Sequence, residues 1–517
     1  MDARSAARDE RDLDLDRFRL RTFLEELVGV DEIEIVKEPV DLADVAGRLA
    51  SSPKALWFKN AGGDELVGNV LGARSRLARA FGVPAQDVAR EMERRLALEP
   101  KLIELSSAEA PVHQVVETGE AIDVTRLPAH LQHAMDGAPY ISASIDYTID
   151  PASGKTNAGL RRLMLRGRRE TGIDLNAPSD LRAIYLAASS RGERLPVSFV
   201  VGCHPIDAVS ATMRLPFDEL GLVSRLRAAP LPVVKCVTND IRVPADAEFV
   251  IEGYLDERGH VEKEGPYGEY LGYYGGVKLN PVFHVTAITR RRDAIFQTAT
   301  ISGNRMDLTD TSNLEALRSE LSVWAALRSV VREPVAVYAP VAAGGSMSVR
   351  ISLRQRYAGE ARTALYAVLG TCNIKNVFVV DPDIDVFSDR QMEWALGTRF
   401  QPDRDFIVAT GVRLSPLDPS LHGAPTGAKA GYDLTWPMQH AQRWELQTPT
   451  PPTYRGERFD SVLAALRHGP KRFEELMAAR GARDGREIVR ELEDLGSRHR
   501  LDRDDMGRYV LADKAGA

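Results

Sequence analysis

The sequence predicts a multidomain α/β protein with a β-rich middle and a separate helical tail. A chain of 517 residues exceeds one ordinary core and calls for two or three domains. Helix-like and strand-like segments alternate at both ends of the main body, whereas residues 140 to 300 read as short strands punctuated by Gly and Pro. A proline-rich break, "LQTPTPPTYRG", then sets off a distinct tail.

Taken in order, "LRTFLEELV" reads as a helix, "EIEIVKEPV" as a strand and "LADVAGRLA" as a second helix. "ALWFKNAG" and "LVGNVLGARSRLARAFG" continue the rhythm. "YISASIDYTID", "NAGLRRLMLRG", "LPVSFVVG", "EFVIEGYLD" and "PVFHVTAITRR" predict an antiparallel sheet or barrel with inserted helices. Beyond 310, "NLEALRSELSVWAALRSVV" is amphipathic helix, and "ARTALYAVLGTC" followed by "NVFVVDPDID" is helix then buried strand. In the tail, "FDSVLAALR", "RFEELMAAR" and "REIVRELEDLG" predict three helices and "HRLDRDDMGRYVL" a hairpin, which together make the winged-helix pattern. The third helix carries four acids and two arginines, so it offers no clean basic face for DNA. A packing or assembly role is expected instead.

Composition excludes several classes. At 44% hydrophobic and 27% charged, with a net charge of -7, the chain reads as globular and is not expected to bind nucleic acid or an acidic membrane. No apolar run reaches the ~20 residues needed to span a bilayer. Cys203, Cys236 and Cys372 fit no metal or redox spacing and read as small core residues of a protein in a reducing, cytoplasmic setting. The ten histidines form no close pair, and neither "HExxH" nor a Gly-x-Ser-x-Gly elbow occurs.

Three segments carry possible chemistry. "EGPYGEYLG" puts Glu264 and Glu269 on either side of a Gly-Pro-Tyr-Gly turn, and neither helix nor strand spacing would bring them together without that turn. Alone, this is a surface loop with two solvated acids as readily as a site. "TNAGLRRLMLRG" places Arg161 and Arg162 in apolar sequence, where guanidinium groups need anionic partners such as a phosphate or a glutamate. "HGAPTGAKAGYD" holds Lys429 among glycines without the spacing of a Walker A loop, and alone it reads as a flexible loop.

Together the segments are more specific. "NIKNVFVVDPDIDVFSDRQMEWALGTRFQPDRD" resembles the signature block of the UbiD-like decarboxylases, enzymes that use prenylated FMN. "TNAGLRRLML", "LPVVKCVTNDIRVP", "EGPYGEYLGYY" and "GAKAGYD" are similar to that family's other blocks, in the same order, over roughly residues 20 to 455. The resemblance implies an N-terminal α/β domain (1–120), a central split β-barrel that binds the flavin (121–310), a C-terminal α/β domain (311–455) and, outside the minimal family core, the winged-helix-like tail (456–517). It also implies a homodimer or a trimer of dimers, with cofactor supplied by a UbiX-type flavin prenyltransferase.

The resemblance further implies the site. Arg162, Glu264 and Glu269 match the family's catalytic Arg-Glu-Glu set, with Glu269 as the proton donor. Mn2+ (or Mg2+) would bridge the flavin phosphate to Asn157, Asp180 and Glu219, Asp180 standing where the family has His. That set is all oxygen, which suits a hard ion. K+ would sit among Ala158, Ser210, Ala211 and Met213. Ala158, Gly159, Leu160, Arg161, Ser179 and Met213 would contact the flavin, and Lys429 would reach its phosphate. Tyr267, Trp436 and Met438 are expected to line a substrate pocket for an aromatic or heteroaromatic acid, a fused-ring phenazine-like acid included. The expected reaction is a reversible, non-oxidative decarboxylation. The alternatives are a decarboxylase of an α,β-unsaturated acid in natural-product biosynthesis and a non-catalytic scaffold that works through its tail. A glycosidase using paired glutamates has no other support in the chain.

Overall fold

The computed structural model describes residues 13–371, 373–438, 446 and 449–511, so Cys372 lies outside the described residues. Two compact units result, Met1–Thr435 and Trp436–Ala517.

Among the described residues three larger sheets organise the first unit, with one three-stranded and two two-stranded sheets beside them. A four-stranded sheet joins Ile33–Val36, Ala55–Ala61, Asp64–Gly68 and Phe296–Gln297. The helices Leu20–Val28 and Leu42–Ser51 present Phe23, Leu24, Leu27, Val45 and Leu49 to the interior.

The β-rich middle closes on itself. Tyr140–Ile149 pairs with Thr156–Leu165, which pairs with Glu170–Ile173. That strand pairs with Val282–Arg290, which then meets Phe249–Leu255. Leu195–Val201 completes the ring between Phe249–Leu255 and Tyr140–Ile149. Closure removes the exposed strand edges, and alternate residues fill the interior. Val197, Phe199, Val201, Ile251 and Phe283 pack there with almost no exposure. At the bulge after Glu252, Gly253 is required for space: a Cβ would fall 2.0 Å from the His284 carbonyl oxygen. The expected split barrel is therefore a closed barrel of six strands, matching the β-rich texture of the middle segment.

The third sheet has five strands in the order Pro334–Tyr338, Ser348–Leu353, Asn376–Val380, Gly427–Asp433, Phe406–Val412, with a parallel centre. Its buried strands are rich in valine and isoleucine, as parallel strands covered on both faces must be. The long helix Asp310–Arg328 ties this domain to the first. Asp310 accepts from Leu71 N at 2.6 Å, and Arg74 grips Glu320 in a bidentate pair at 2.6 and 2.8 Å.

The second unit packs the helices Val462–Arg467, Phe473–Arg480 and Gly485–Gly496 around Leu466, Leu476, Ile488 and Leu492, with a hairpin of Leu501–Arg503 and Tyr509–Leu511. The expected three helices and wing are present. No helix among the described residues is long and apolar enough to cross a membrane.

Beside the barrel, Arg227 lies fully buried between two acids. Its Nε donates to Asp207 Oδ1 at 2.8 Å and its Nη1 to Asp246 Oδ2 at 2.6 Å. Replacing Arg227 by Met strands two buried carboxylates, so the substitution should cost about 3–5 kcal/mol. A urea titration should show this as a lower unfolding midpoint, and an unchanged midpoint would contradict the reading.

Candidate active site

The barrel strand Thr156–Leu165 divides the work of its two arginines. Successive strand residues point to opposite faces. Arg161 therefore reaches the start of the helix Asp180–Ser190, donating to Ser179 Oγ at 3.1 Å with its Nε 3.4 Å from Asp146 Oδ1. Arg162 turns the other way, toward three carboxylates. Its Nε donates to Glu264 Oε1 at 2.9 Å and its Nη1 to Glu269 Oε1 at 2.9 Å, while Nη2 lies 3.1 Å from Asp174 Oδ2. Burial works against the Arg162 charge, but Glu269 and Glu264 outweigh it and hold the guanidinium protonated. The Tyr267 ring lies under the same guanidinium, 4.4 Å from its centroid.

The turn between the glutamates makes this possible. Glu262–Glu264 pairs with Lys278–Asn280, and after Gly265 (φ +90°) and Pro266 the chain re-enters pairing at Tyr267–Gly268 with Tyr274–Gly275. Glu269 N donates to the Tyr273 carbonyl at 2.8 Å. Gly275 is there for clearance, since a Cβ would sit 2.7 Å from Glu269 Oε1. The turn is pinned from the side by Asp136, which accepts from Gly268 N at 2.9 Å, and by Gln132, which accepts from the Tyr267 hydroxyl at 2.7 Å.

A cavity of about 730 Å³ opens along this strand. It is lined by residues 157–162, the segment 176–181, residues 211–214, one face of the helix Asp310–Arg328, Arg413 and residues 415–417. Its size suits a cofactor and a small substrate together.

Several expected residues meet here. Arg162, Glu269, Tyr267, Asn157, Ala158, Gly159, Leu160, Arg161, Ser179, Asp180, Ala211, Met213 and Glu219 all line the cavity. Others are placed differently. Glu264, expected in the Arg-Glu-Glu set as the ion-pair partner of Arg162, has a fully buried side chain that accepts from Arg162 and does not line the cavity. Ser210 is buried at the end of the helix Pro205–Ser210 and does not line the cavity. Lys429, read as part of a flexible loop near the phosphate, lies in the strand Gly427–Asp433, and its ammonium donates to the Thr371 carbonyl. It is buried and outside the cavity lining, because pairing with the parallel strand Asn376–Val380 draws the segment into the sheet. Trp436 and Met438 belong to the second unit. Tyr267 lines the cavity but is 1% exposed, so it supports Arg162 more than it offers a face to a ligand.

Sequence reasoning missed Asp174, Lys278 and Asp136. A hairpin reading of "LMLRGRRETGID" could have found the first, since pairing Leu163 with Ile173 sets Asp174 beside Arg162.

The end of the cavity expected to hold the metal is acidic, with Glu219 and Asp146 buried and Asp180 exposed. Asn157 Nδ2 donates to Glu219 Oε2 at 3.3 Å, and Ala158 N donates to the same oxygen. Burial pushes the Glu219 carboxyl up to about 8. The Ala158 N–H opposes this, and Asp146, Asp180 and Asp218 add to it. Neither Asp146 oxygen accepts a hydrogen bond among the described residues, although the group is fully buried. Buried, mutually repelling carboxylates of this kind fit a bound cation. Among the described residues no three His, Cys, Asp or Glu side chains form a ready-made cluster, so the amide of Asn157 has to serve as a ligand if Asp180 and Glu219 hold a metal.

Three family models cover the chain in succession, for the N-terminal (24–96), Rift-related (103–305) and C-terminal (312–434) domains of 3-octaprenyl-4-hydroxybenzoate carboxy-lyase, UbiD. Anhydromevalonate phosphate decarboxylase of Methanosarcina mazei is 30% identical over 431 residues, 82% of this chain and 98% of that protein. The chain belongs to the UbiD family. It is a UbiD-type carboxy-lyase. Among solved structures, the UbiD-class enzyme HmfF of Pelotomaculum thermopropionicum in complex with FMN superposes with a TM-score of 0.78 at 31% identity, covering 84% of this chain and 97% of that one. The apo 3,4-dihydroxybenzoic acid decarboxylase of Klebsiella pneumoniae superposes with a TM-score of 0.75 at 26% identity, covering 84% and 98%.

The elevated Glu219 carboxyl makes a signed prediction for metal-free protein. Its folded value of about 8 lies above its ordinary 4.5. Its contribution to stability is thus full below 4.5 and is lost as pH rises to 8. Glu219→Gln, which mimics the protonated acid, should match wild type in thermal midpoint at pH 4.5 and become the more stable protein as pH approaches 8. A gap that stays flat over this range would contradict the assignment.

Proposed function

We propose that the protein decarboxylates an acid whose carboxylate sits on an sp2 carbon, aromatic or α,β-unsaturated, with prenylated FMN as cofactor, Mn2+ or Mg2+ at Asn157, Asp180 and Glu219, and K+ near Ala158, Ala211 and Met213. The observation that carries this reading is the convergence of Glu264, Glu269 and Asp174 on Arg162 at the wall of a flavin-sized cavity. When bound, prenylated FMN supplies the electron sink that removal of CO2 from an sp2 carbon needs.

The chain's own residues then have separable tasks. Glu264 and Asp174 fix the Arg162 guanidinium, which presents the Glu269 carboxyl to the cavity and can orient a substrate carboxylate by charge-assisted hydrogen bonds. Glu269 delivers a proton to the carbon that CO2 leaves. The walls of the cavity exclude water from that proton transfer. The same groups run in reverse under high CO2. Because Tyr267 is covered by Arg162, the fused-ring preference loses one of its supports, and an unsaturated acid stands level with an aromatic one. The Methanosarcina mazei relative is named for anhydromevalonate phosphate, which is not an aromatic acid, and this adds weight to the unsaturated alternative. Cofactor supply by a UbiX-type prenyltransferase, a cytoplasmic setting and assembly as a homo-oligomer complete the reading. The tail is given a packing role.

Loaded protein offered a panel of aromatic and unsaturated acids should release CO2 from a subset of them. Glu269→Gln and Arg162→Ala should each lower that rate at least about a hundredfold. Glu269→Gln should still hold its flavin. Full turnover by Glu269→Gln would remove it as the proton donor, and silence across the panel would favour the non-catalytic scaffold.

A further inference from the structure

The Arg162 centre contains a second cation to which the mechanism above gives no task. Lys278 stands opposite Glu264 where Glu262–Glu264 pairs with Lys278–Asn280, so the two side chains share a face of that ribbon. Its ammonium and the Arg162 guanidinium reach the same atom. Asp174 Oδ2 lies 3.6 Å from Lys278 Nζ and 3.1 Å from Arg162 Nη2, which makes the two cations neighbours. Asp174, Lys278, Arg162 and Glu269 all line the cavity. Asn176 fixes the base of this group. Its Nδ2 donates to the Leu279 carbonyl at 3.1 Å and to Asn280 Oδ1 at 2.8 Å, tying the segment after Asp174 to the strand that carries Lys278.

The donors of the two cations are engaged unequally. A guanidinium has five N–H groups. Arg162 turns Nε and Nη2 to Glu264 at 2.9 and 3.2 Å, Nη1 to Glu269 at 2.9 Å, and Nη2 again to Asp174 at 3.1 Å. One N–H on Nη1 remains, too few for a two-point grip on a carboxylate. Lys278 has three N–H groups, and its ammonium makes no hydrogen bond among the described residues, since its contact with Asp174 is longer than one. Burial would raise the Asp174 carboxyl, but Arg162, then Lys278, and hydrogen bonds from Asn176 hold it below its ordinary value. Asp174 thus stays ionised and keeps the ammonium turned toward Arg162. An entering carboxylate meets one cation whose donors are taken and, next to it, one with donors to spare.

We infer that Lys278 receives the carboxylate of the incoming acid, with the remaining N–H of Arg162 beside it, and that Asp174 holds the ammonium in place for that contact. This deepens the decarboxylase reading above and rests on it for the word substrate. The contact belongs to the bound acid more than to the transition state, because charge moves off the carboxylate oxygens as CO2 leaves. Its loss therefore falls on binding and not on turnover.

The test is calorimetric titration of the full chain in the presence of excess FMN, with pairs of ligands that differ only in charge: benzoate against benzamide, and crotonate against crotonamide. Wild type should favour the acid about tenfold or more in at least one pair. That ratio should fall toward one in Lys278→Gln and persist in Lys278→Arg. It should also persist in Lys263→Gln, which removes an exposed lysine from the strand that carries Glu264. A merely unstable variant would weaken acid and amide alike. Equal affinity for acid and amide in wild type, or a ratio that survives in Lys278→Gln, overturns the inference. With loaded protein and an acid that releases CO2, Lys278→Gln should raise KM about tenfold and leave kcat within about twofold. A fall in kcat at unchanged KM would overturn the inference while the decarboxylase reading stood. An acid preference that depends on Lys278, in loaded protein that releases no CO2, would leave the carboxylate site standing and sink the decarboxylase reading alone.

Discussion

Arg162 sits where three carboxylates converge, and a buried guanidinium in that position is tolerable only while its partners remain in place. Each partner arrives by a different route. Glu264 and Glu269 come from the two sides of one turn, and Asp174 from the end of a neighbouring barrel strand. The turn needs glycine at 265 for its left-handed backbone and at 275 for clearance beside Glu269. The barrel needs its closed register so that Ile173 faces Leu163. The chemistry of one side chain thus constrains the backbone of three segments.

The same economy appears at the opposite end of the cavity. There Asp146, Asp180 and Asp218 add to the burial that pushes the Glu219 carboxyl up. The helix Asp310–Arg328 contributes to this arrangement twice. Through Glu320 it is fastened to Arg74 of the N-terminal domain, and through Arg318 it enters the cavity wall.

Much of the fold was legible because it is written in local patterns. Strand-length apolar runs broken by Gly and Pro announced the barrel, and three amphipathic helices with a hairpin announced the tail. The arginine pair and the flanked turn were legible as candidates, but their roles were not. Whether Glu264 or Glu269 faces the cavity depends on the direction in which the turn leaves the sheet, and nothing in "EGPYGEYLG" states that. Lys429 misled because glycines suggest a loop, whereas Gly431 in fact lets the strand lie against Leu365 and Leu369.

The most direct test of this account is native mass spectrometry with an absorbance spectrum, on protein co-expressed with a UbiX-type prenyltransferase and supplied with Mn2+. The account predicts one prenylated FMN and one divalent metal ion per chain, with Asp180 serving in place of a histidine. Protein that emerges empty, or that carries plain FMN without metal, would contradict it.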